Sequence, residues 1–140
     1  MSYVRVWVHL VFATKYRYPY FNSAELRKQI FEHIKANGRE KEIWIDAVNG
    51  YEDHVHILFS LGREQTISKV AQLLKGESSF WINKNQLTKK KFLWQDDYWA
   101  AGVSERNLEQ LRNYIKNQEE HHQKKNLSEE VENLFKNQEQ

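Results

Sequence analysis

An α+β fold built on an antiparallel sheet follows from three observations on this 140-residue chain. Segments with the two-residue alternation of half-buried strands are interleaved with segments whose apolar residues recur at helical spacing. The middle two strand segments are separated only by a turn signal, as in a hairpin. A last helical segment follows the last strand. The order strand, helix, strand, strand, helix, strand, helix is the ferredoxin-like split βαβ pattern with one extra C-terminal helix. Two helices should then cover one face of the sheet and leave the other for a site or a partner.

Each element has its own local reason. Val4, Val6, Val8, Leu10 and Phe12 alternate with other residues and predict a long first strand. Ser23 is a helix N-cap, Leu26, Ile30 and Ile34 follow at helical spacing, and Gly38 stands where that helix should end. The spacing predicts a second strand over Ile43 to Val48, a turn at Asn49-Gly50 and a third strand over His54 to Phe59. Thr66 caps the next helix, with Ile67, Val70, Leu74 and Trp81 on one face. A fourth strand is expected over Tyr98 to Val103. Ser104 then caps a last helix whose stripe is Leu108, Leu111 and Ile115. Residues 1–125 are read as one domain and 126–140 as a short tail expected to be helical.

Composition removes several classes of chemistry. The chain has no cysteine, so disulfide scaffolds, cysteine zinc sites and thiolate nucleophiles are excluded. Arg5 interrupts the first apolar run, so no signal peptide is expected, and no run reaches the ~20 apolar residues of a membrane helix. The expectation is a soluble, cytoplasmic protein. The formal net charge of +2 does not by itself point to nucleic acid, but its distribution does. Lys15 and Arg17 follow the first strand, Lys69 and Lys75 lie along the second helix, and Lys89, Lys90 and Lys91 form a run. Lys15-Tyr16-Arg17-Tyr18 interleaves cations with aromatics, which suits phosphates and stacked bases. A solvated amphipathic surface is the other reading of the same charges.

Alternate side chains on a strand share a face, so His54 and His56 point one way while Val55, Ile57 and Phe59 point to the core. Two such imidazoles can hold one divalent ion if a third ligand comes from elsewhere. A pair of histidines on an exposed sheet face is the alternative. Tyr114 and Gln118 are four residues apart on the last helix and lie one above the other, at the edge of its apolar stripe. From that edge a helix lying on the sheet can reach the histidines. Packing at the border of a core would also account for the tyrosine.

Together these features resemble the single-tyrosine HUH transposases of the smallest bacterial insertion sequences and the REP-associated tyrosine transposases. The similarity runs from His9-Leu10-Val11-Phe12-Ala13-Thr14-Lys15-Tyr16-Arg17 through Asp53-His54-Val55-His56-Ile57-Leu58, which matches the HUH box. It continues through Leu74-Lys75-Gly76-Glu77-Ser78-Ser79 and Trp94-Gln95-Asp96-Asp97-Tyr98 to the tyrosine helix at Tyr114-Ile115-Lys116-Asn117-Gln118. Ala101-Gly102 departs from the aromatic and serine of many relatives. The resemblance implies a DNA transposase that cleaves and rejoins single-stranded DNA through a 5′-phosphotyrosine at Tyr114. It implies Mg²⁺ or Mn²⁺ held by His54, His56 and Gln118; His122, which the resemblance does not single out, is the weaker candidate for the third ligand. It also implies hairpin ends of a mobile element or repeat as DNA partner, and a homodimer whose sites can pair one subunit's histidines with the other's tyrosine helix. Gly102 is then a hinge candidate, or simply a strand-end glycine. Trp7 and Tyr3, off the core face, are compatible with a covered interface. Competing readings are a non-catalytic nucleic-acid-binding module on the same fold, a metal-dependent hydrolase using bound water, and a domesticated relative acting on genomic repeats.

Overall fold

The computed structural model describes residues 4–119, 129, 131 and 132. Strand β1 spans Val6–Ala13, helix α1 Ala24–Glu40, β2 Trp44–Tyr51, β3 His54–Leu61, α2 Ile67–Lys84, β4 Trp99–Val103 and α3 Leu108–Lys116. The strands form one four-stranded sheet in the order β2-β3-β1-β4, and each neighbouring pair is antiparallel. This is the split βαβ order expected from the sequence, with α3 added after β4.

One face of the sheet is the main core. Val8, Leu10 and Phe12 of β1 and Val55, Ile57 and Phe59 of β3 pack against Ile30 and Ile34 of α1 and Val70 and Leu74 of α2. Leu26 joins this cluster at its edge. The two-residue and helical periods therefore meet as expected. Val4, before β1, and Val6, its first residue, continue the alternation but lie exposed. The hydroxyls of Ser23 and Thr66 accept from the backbone N–H of Leu26 and Lys69 at 3.1 and 3.2 Å, closing the first turns of α1 and α2.

Three local expectations are corrected. Gly38 does not end α1, which runs on to Glu40. It is buried inside the helix because any Cβ there would collide with Cδ1 of Ile45 and press on Leu74, so glycine lets α1 lie close on the sheet. Asn49-Gly50 is not the hairpin turn. Both residues stay in β2, opposite His56 and Val55, and the chain turns at Glu52-Asp53 instead. A Cβ at Gly50 would meet the carbonyl of His54, so this glycine serves close approach of backbones. Ser104 makes no side-chain cap; a short 3-10 turn over Glu105–Asn107 intervenes, and α3 begins only at Leu108.

The second face is not left open. Leu108, Leu111 and Ile115 of α3 pack on Trp7, Leu58 and Val103. Trp7 is thus packed within its own chain; Tyr3 lies outside the described residues. Val131 packs on Val11 and Ala13 of the same face, and the rest of the tail lies outside the described residues apart from Glu129 and Glu132. No described helix is long and apolar enough to cross a membrane.

Candidate active site

The site forms where α3 crosses the second face of the sheet. Strand alternation sends His54 and His56 to that face, and α3 buries both completely. The exposed-histidine alternative therefore does not hold. Buried imidazoles need hydrogen-bond partners. His54 Nδ1 lies 2.8 Å from Oδ1 of Asp53, the last residue of the hairpin turn. The other oxygen of Asp53 accepts from Arg17 Nε at 3.0 Å. Burial opposes charge on Asp53, but its hydrogen bond with His54, reinforced by the Arg17 guanidinium, holds its carboxyl below its ordinary value. On the other side of the ring, His54 Nε2 lies 3.1 Å from Oε1 of Gln118, which is itself fully buried.

Tyr114 and Gln118 meet the histidines from above. The rings of Tyr114 and His56 are 5.8 Å apart between centres, and those of His54 and His56 are 5.1 Å apart. The helix itself ends at Lys116, with Asn117 as its C-cap, so Gln118 sits just past α3 rather than within it. Its amide N–H donates back one turn to the Tyr114 backbone carbonyl at 3.4 Å. His121 and His122 lie outside the described residues.

Several positioning residues were not singled out from the sequence. Asn49 on β2 donates from its amide to the carbonyls of Ile115 and Lys116 at 2.9 and 3.0 Å, pinning the end of α3. Arg112 pairs with Asp46 at 2.7 Å, at the point where the β2–β3 register shifts between Ile45 and Ala47. Arg27 of α1 binds Glu119 at 2.7 Å. His9 of β1 is fully buried, with Nε2 2.9 Å from Nδ1 of His56. Strand parity could have found His9: once β1 and β3 are paired, Trp7, His9 and Val11 must share the histidine face. The contacts of α3 had no such local signal.

The basic residues divide by environment. Lys75 donates to the carbonyls of Gln95 and Asp96 at 2.5 and 2.9 Å, and burial pulls its ammonium below the ordinary value despite Asp96 and Asp97. It ties α2 to the segment before β4 rather than offering a free charge. Lys69, Lys89, Lys90 and Lys91 are exposed, Lys15 is half-buried, and Lys90 lies over the Tyr18 ring at 4.0 Å. Tyr16 and Arg17 both adopt left-handed backbone, with φ of 57° and 58°. The turn leaves the Tyr16 ring 86% exposed, while Arg17 reaches Asp53 beside the histidines. A second group of cations, Arg27, Lys28, Lys35, Arg112 and Lys116, lines a cleft of about 620 Å³ between α1, β2 and α3. Gly102 is exposed, has no left-handed backbone, and has open space where a Cβ would stand, so nothing in its surroundings requires glycine.

Among the described residues no group of three His, Cys, Asp or Glu side chains is arranged to hold a metal. The donor set here is different in kind, because its third member is an amide oxygen. In the tautomer that directs the Nδ1 proton of His54 to Asp53, Nε2 and Gln118 Oε1 would be two acceptors 3.1 Å apart. Two acceptors at that spacing suit neighbouring positions around one small divalent ion lying beside them, so the residues fit such an ion. A base-stacking module would need an open sheet face, whereas α3 covers this one.

An antiparallel split βαβ sheet with two histidines on one strand, and a tyrosine and an amide carried over them by a following helix, defines a protein of the tyrosine-transposase class. The chain belongs to the family described as "Transposase IS200 like", whose sequence profile matches residues 2–118. It is 31% identical over 117 residues to the ISDra2 transposase TnpA of Deinococcus radiodurans, covering 79% of this chain and 81% of that protein. Its fold is similar to a crystal structure described as a transposase from Deinococcus radiodurans, with a TM-score of 0.64 and 25% identity over 84% of this chain and 95% of that one. It also resembles in fold a REP-associated tyrosine transposase bound to a REP hairpin, with a TM-score of 0.59 and 14% identity over 82% of this chain and 67% of the other.

Proposed function

We propose that this transposase-family protein cleaves and rejoins single-stranded DNA through a covalent bond to Tyr114. The observation that carries the reading is the meeting of His54 Nε2 and Gln118 Oε1 at 3.1 Å, with the Tyr114 ring 5.8 Å from that of His56. His54, His56 and Gln118 would hold Mg²⁺ or Mn²⁺, which when bound supplies charge neutralisation and polarisation at the scissile phosphate. Asp53 holds the His54 ring by its Nδ1 edge, and Asn49 and Arg112 hold α3 against β2. Tyr114 is thereby carried over the histidines. Its hydroxyl loses a proton as the phenolic oxygen bonds to phosphorus, and the P–O3′ bond breaks. The 3′ oxygen leaves and takes up a proton, giving a 5′-phosphotyrosine and a free 3′-OH. Attack of a 3′-OH on the phosphotyrosine reverses these bonds and restores Tyr114. One phosphoester replaces another at each step, so no ATP is needed.

The proposed partner is a DNA hairpin with a single-stranded flank, in keeping with the hairpin bound by the structurally similar REP-associated transposase. The exposed Tyr16 ring and the neighbouring Lys15, Arg17 and Lys90 offer stacking and phosphate contacts near the hairpin turn that carries Asp53. A homodimer is proposed on family resemblance. The test is direct: protein, Mn²⁺ and end-labelled single-stranded DNA should give a denaturation-resistant adduct that maps to the Tyr114 peptide. Tyr114→Phe should give none while binding DNA normally. His54→Ala should lose the adduct and retain DNA binding. An adduct on Tyr98 or Tyr51, or cleavage that leaves only free 5′ ends, refutes the mechanism.

A further inference from the structure

His9 is an exception in its surroundings. The other β1 residues on its face, Trp7, Val11 and Ala13, are apolar, and all four are buried. An imidazole in the interior of a sheet costs free energy unless a hydrogen bond answers it. His9 sits opposite Leu58 on β3 and Ala101 on β4, in the central strand pair. Its Nε2 reaches diagonally across β3 to Nδ1 of His56 at 2.9 Å. The two ring planes are within 21° of each other, so the acceptor lone pair lies nearly in the plane of the donor ring.

We infer that His9 is a positioning residue, which accepts a hydrogen bond from Nδ1–H of His56 and so fixes that ring with the Nε2 lone pair turned away from His9 toward a ligand. The inference rests on the proposal that His56 binds a divalent ion. It goes further by assigning a task to a side chain that touches neither metal nor DNA. The comparison within the site supports it. Asp53 engages Nδ1 of His54 at 2.8 Å, and His9 engages Nδ1 of His56 at 2.9 Å. Both histidines of the pair are therefore engaged at the same ring atom, Nδ1, in keeping with Nε2 as the ligating atom proposed for each. An acceptor on the far nitrogen orients a ligating imidazole and raises its basicity. The two acceptors differ for a physical reason. Asp53 is at a turn where Arg17 and solvent reach it, with 20% of its side chain exposed. His9 is fully buried, where a carboxylate would bring an uncompensated charge but a neutral imidazole does not.

The test uses the full chain and two readouts. Long-range ¹H–¹⁵N spectra of the metal-free protein at mildly alkaline pH report which ring nitrogen of His56 carries the proton. The wild-type protein should show the Nδ1–H tautomer. His9→Phe should lose that preference, and His9→Gln, whose amide oxygen can stand near the lost Nε2, should recover it. In calorimetric titration with Mn²⁺, His9→Phe should bind ~10- to 100-fold more weakly than wild type and His9→Gln should bind closer to it. A wild-type His56 protonated at Nε2 overturns the inference, as does a His9→Phe protein with unchanged tautomer and unchanged Mn²⁺ affinity. If His9→Phe does not fold, the wild-type spectrum and the His9→Gln variant still decide. Failure of the wild type to bind Mn²⁺ would defeat the metal proposal, and the spectra alone would then decide what His9 does.

Discussion

Replacing Asn49 with alanine should loosen the end of the tyrosine helix without unfolding the protein. The Asn49 amide donates to the carbonyls of Ile115 and Lys116, two of the last acceptors of α3, which have no partner within the helix. The first bond is half-buried and the second exposed, so the second is weighted at the low end of the usual range. Together they should contribute about 1.5 kcal/mol to the docked state, equivalent to roughly a tenfold rise in the frayed population when both are removed. The ion pair of Arg112 with Asp46 anchors the same helix, but its arginine side chain is 38% exposed. Solvent screening limits such a pair to ~0–1 kcal/mol, so Arg112→Ala should do less. Hydrogen–deuterium exchange of peptides covering 108–119 measures the fraying, and urea unfolding measures global stability. Asn49→Ala should speed exchange in α3 by about tenfold while the buried strands β1 and β3 keep their protection. Adduct formation should fall by no more than a similar factor. Unchanged exchange in α3, or a larger effect from Arg112→Ala, would refute the view that Asn49 holds the helix.

Gly38→Ala places a methyl against Cδ1 of the fully buried Ile45. Overpacking of ~1–3 kcal/mol, offset in part by the ~1 kcal/mol helical advantage of alanine, should lower Tm by several degrees. Ile45→Val, which removes that Cδ1, should restore most of the loss in the double variant; a single variant as stable as the parent contradicts the close-approach account. Subunit sharing is tested by mixing a His56→Ala chain with a Tyr114→Phe chain. If sites pair one chain's histidines with the other's helix, the mixed dimer regains one complete site and partial cleavage returns. If each chain uses its own helix, as Gln118 and His54 meet within one chain here, the mixture stays inactive.

The sequence alone determined the parts of this protein that depend on period and spacing. Alternation in β1 and β3 fixed which residues face the helices, because successive side chains must point to opposite faces of a strand. The same rule placed His54 and His56 together, and helical spacing set Tyr114 one turn from Gln118. Ser23 and Thr66 were legible as caps because the capping bond is local to the first turn. Local signals misled where a distant neighbour set the requirement. Gly38 and Gly50 read as a helix end and a turn, yet each is glycine because another element, Ile45 in one case and the His54 backbone in the other, comes too close for a Cβ. The fourth strand was legible, but the start of α3 was misplaced because Ser104 leads into a 3-10 turn.

Only the tertiary structure decided what lies on the second face. That α3 folds back over β2 and β3 depends on Asn49, Asp46 and Trp7, which are far from the helix in sequence and carry no local mark of it. That docking turns two same-face histidines into a buried pair. It brings Gln118 to His54, while the turn supplies Asp53 to His54 and strand pairing supplies His9 to His56. Spacing along one strand can say that two imidazoles point the same way. Which atoms of each ring are engaged is set by contacts among the strands, the turn and the last helix that only the folded chain brings together.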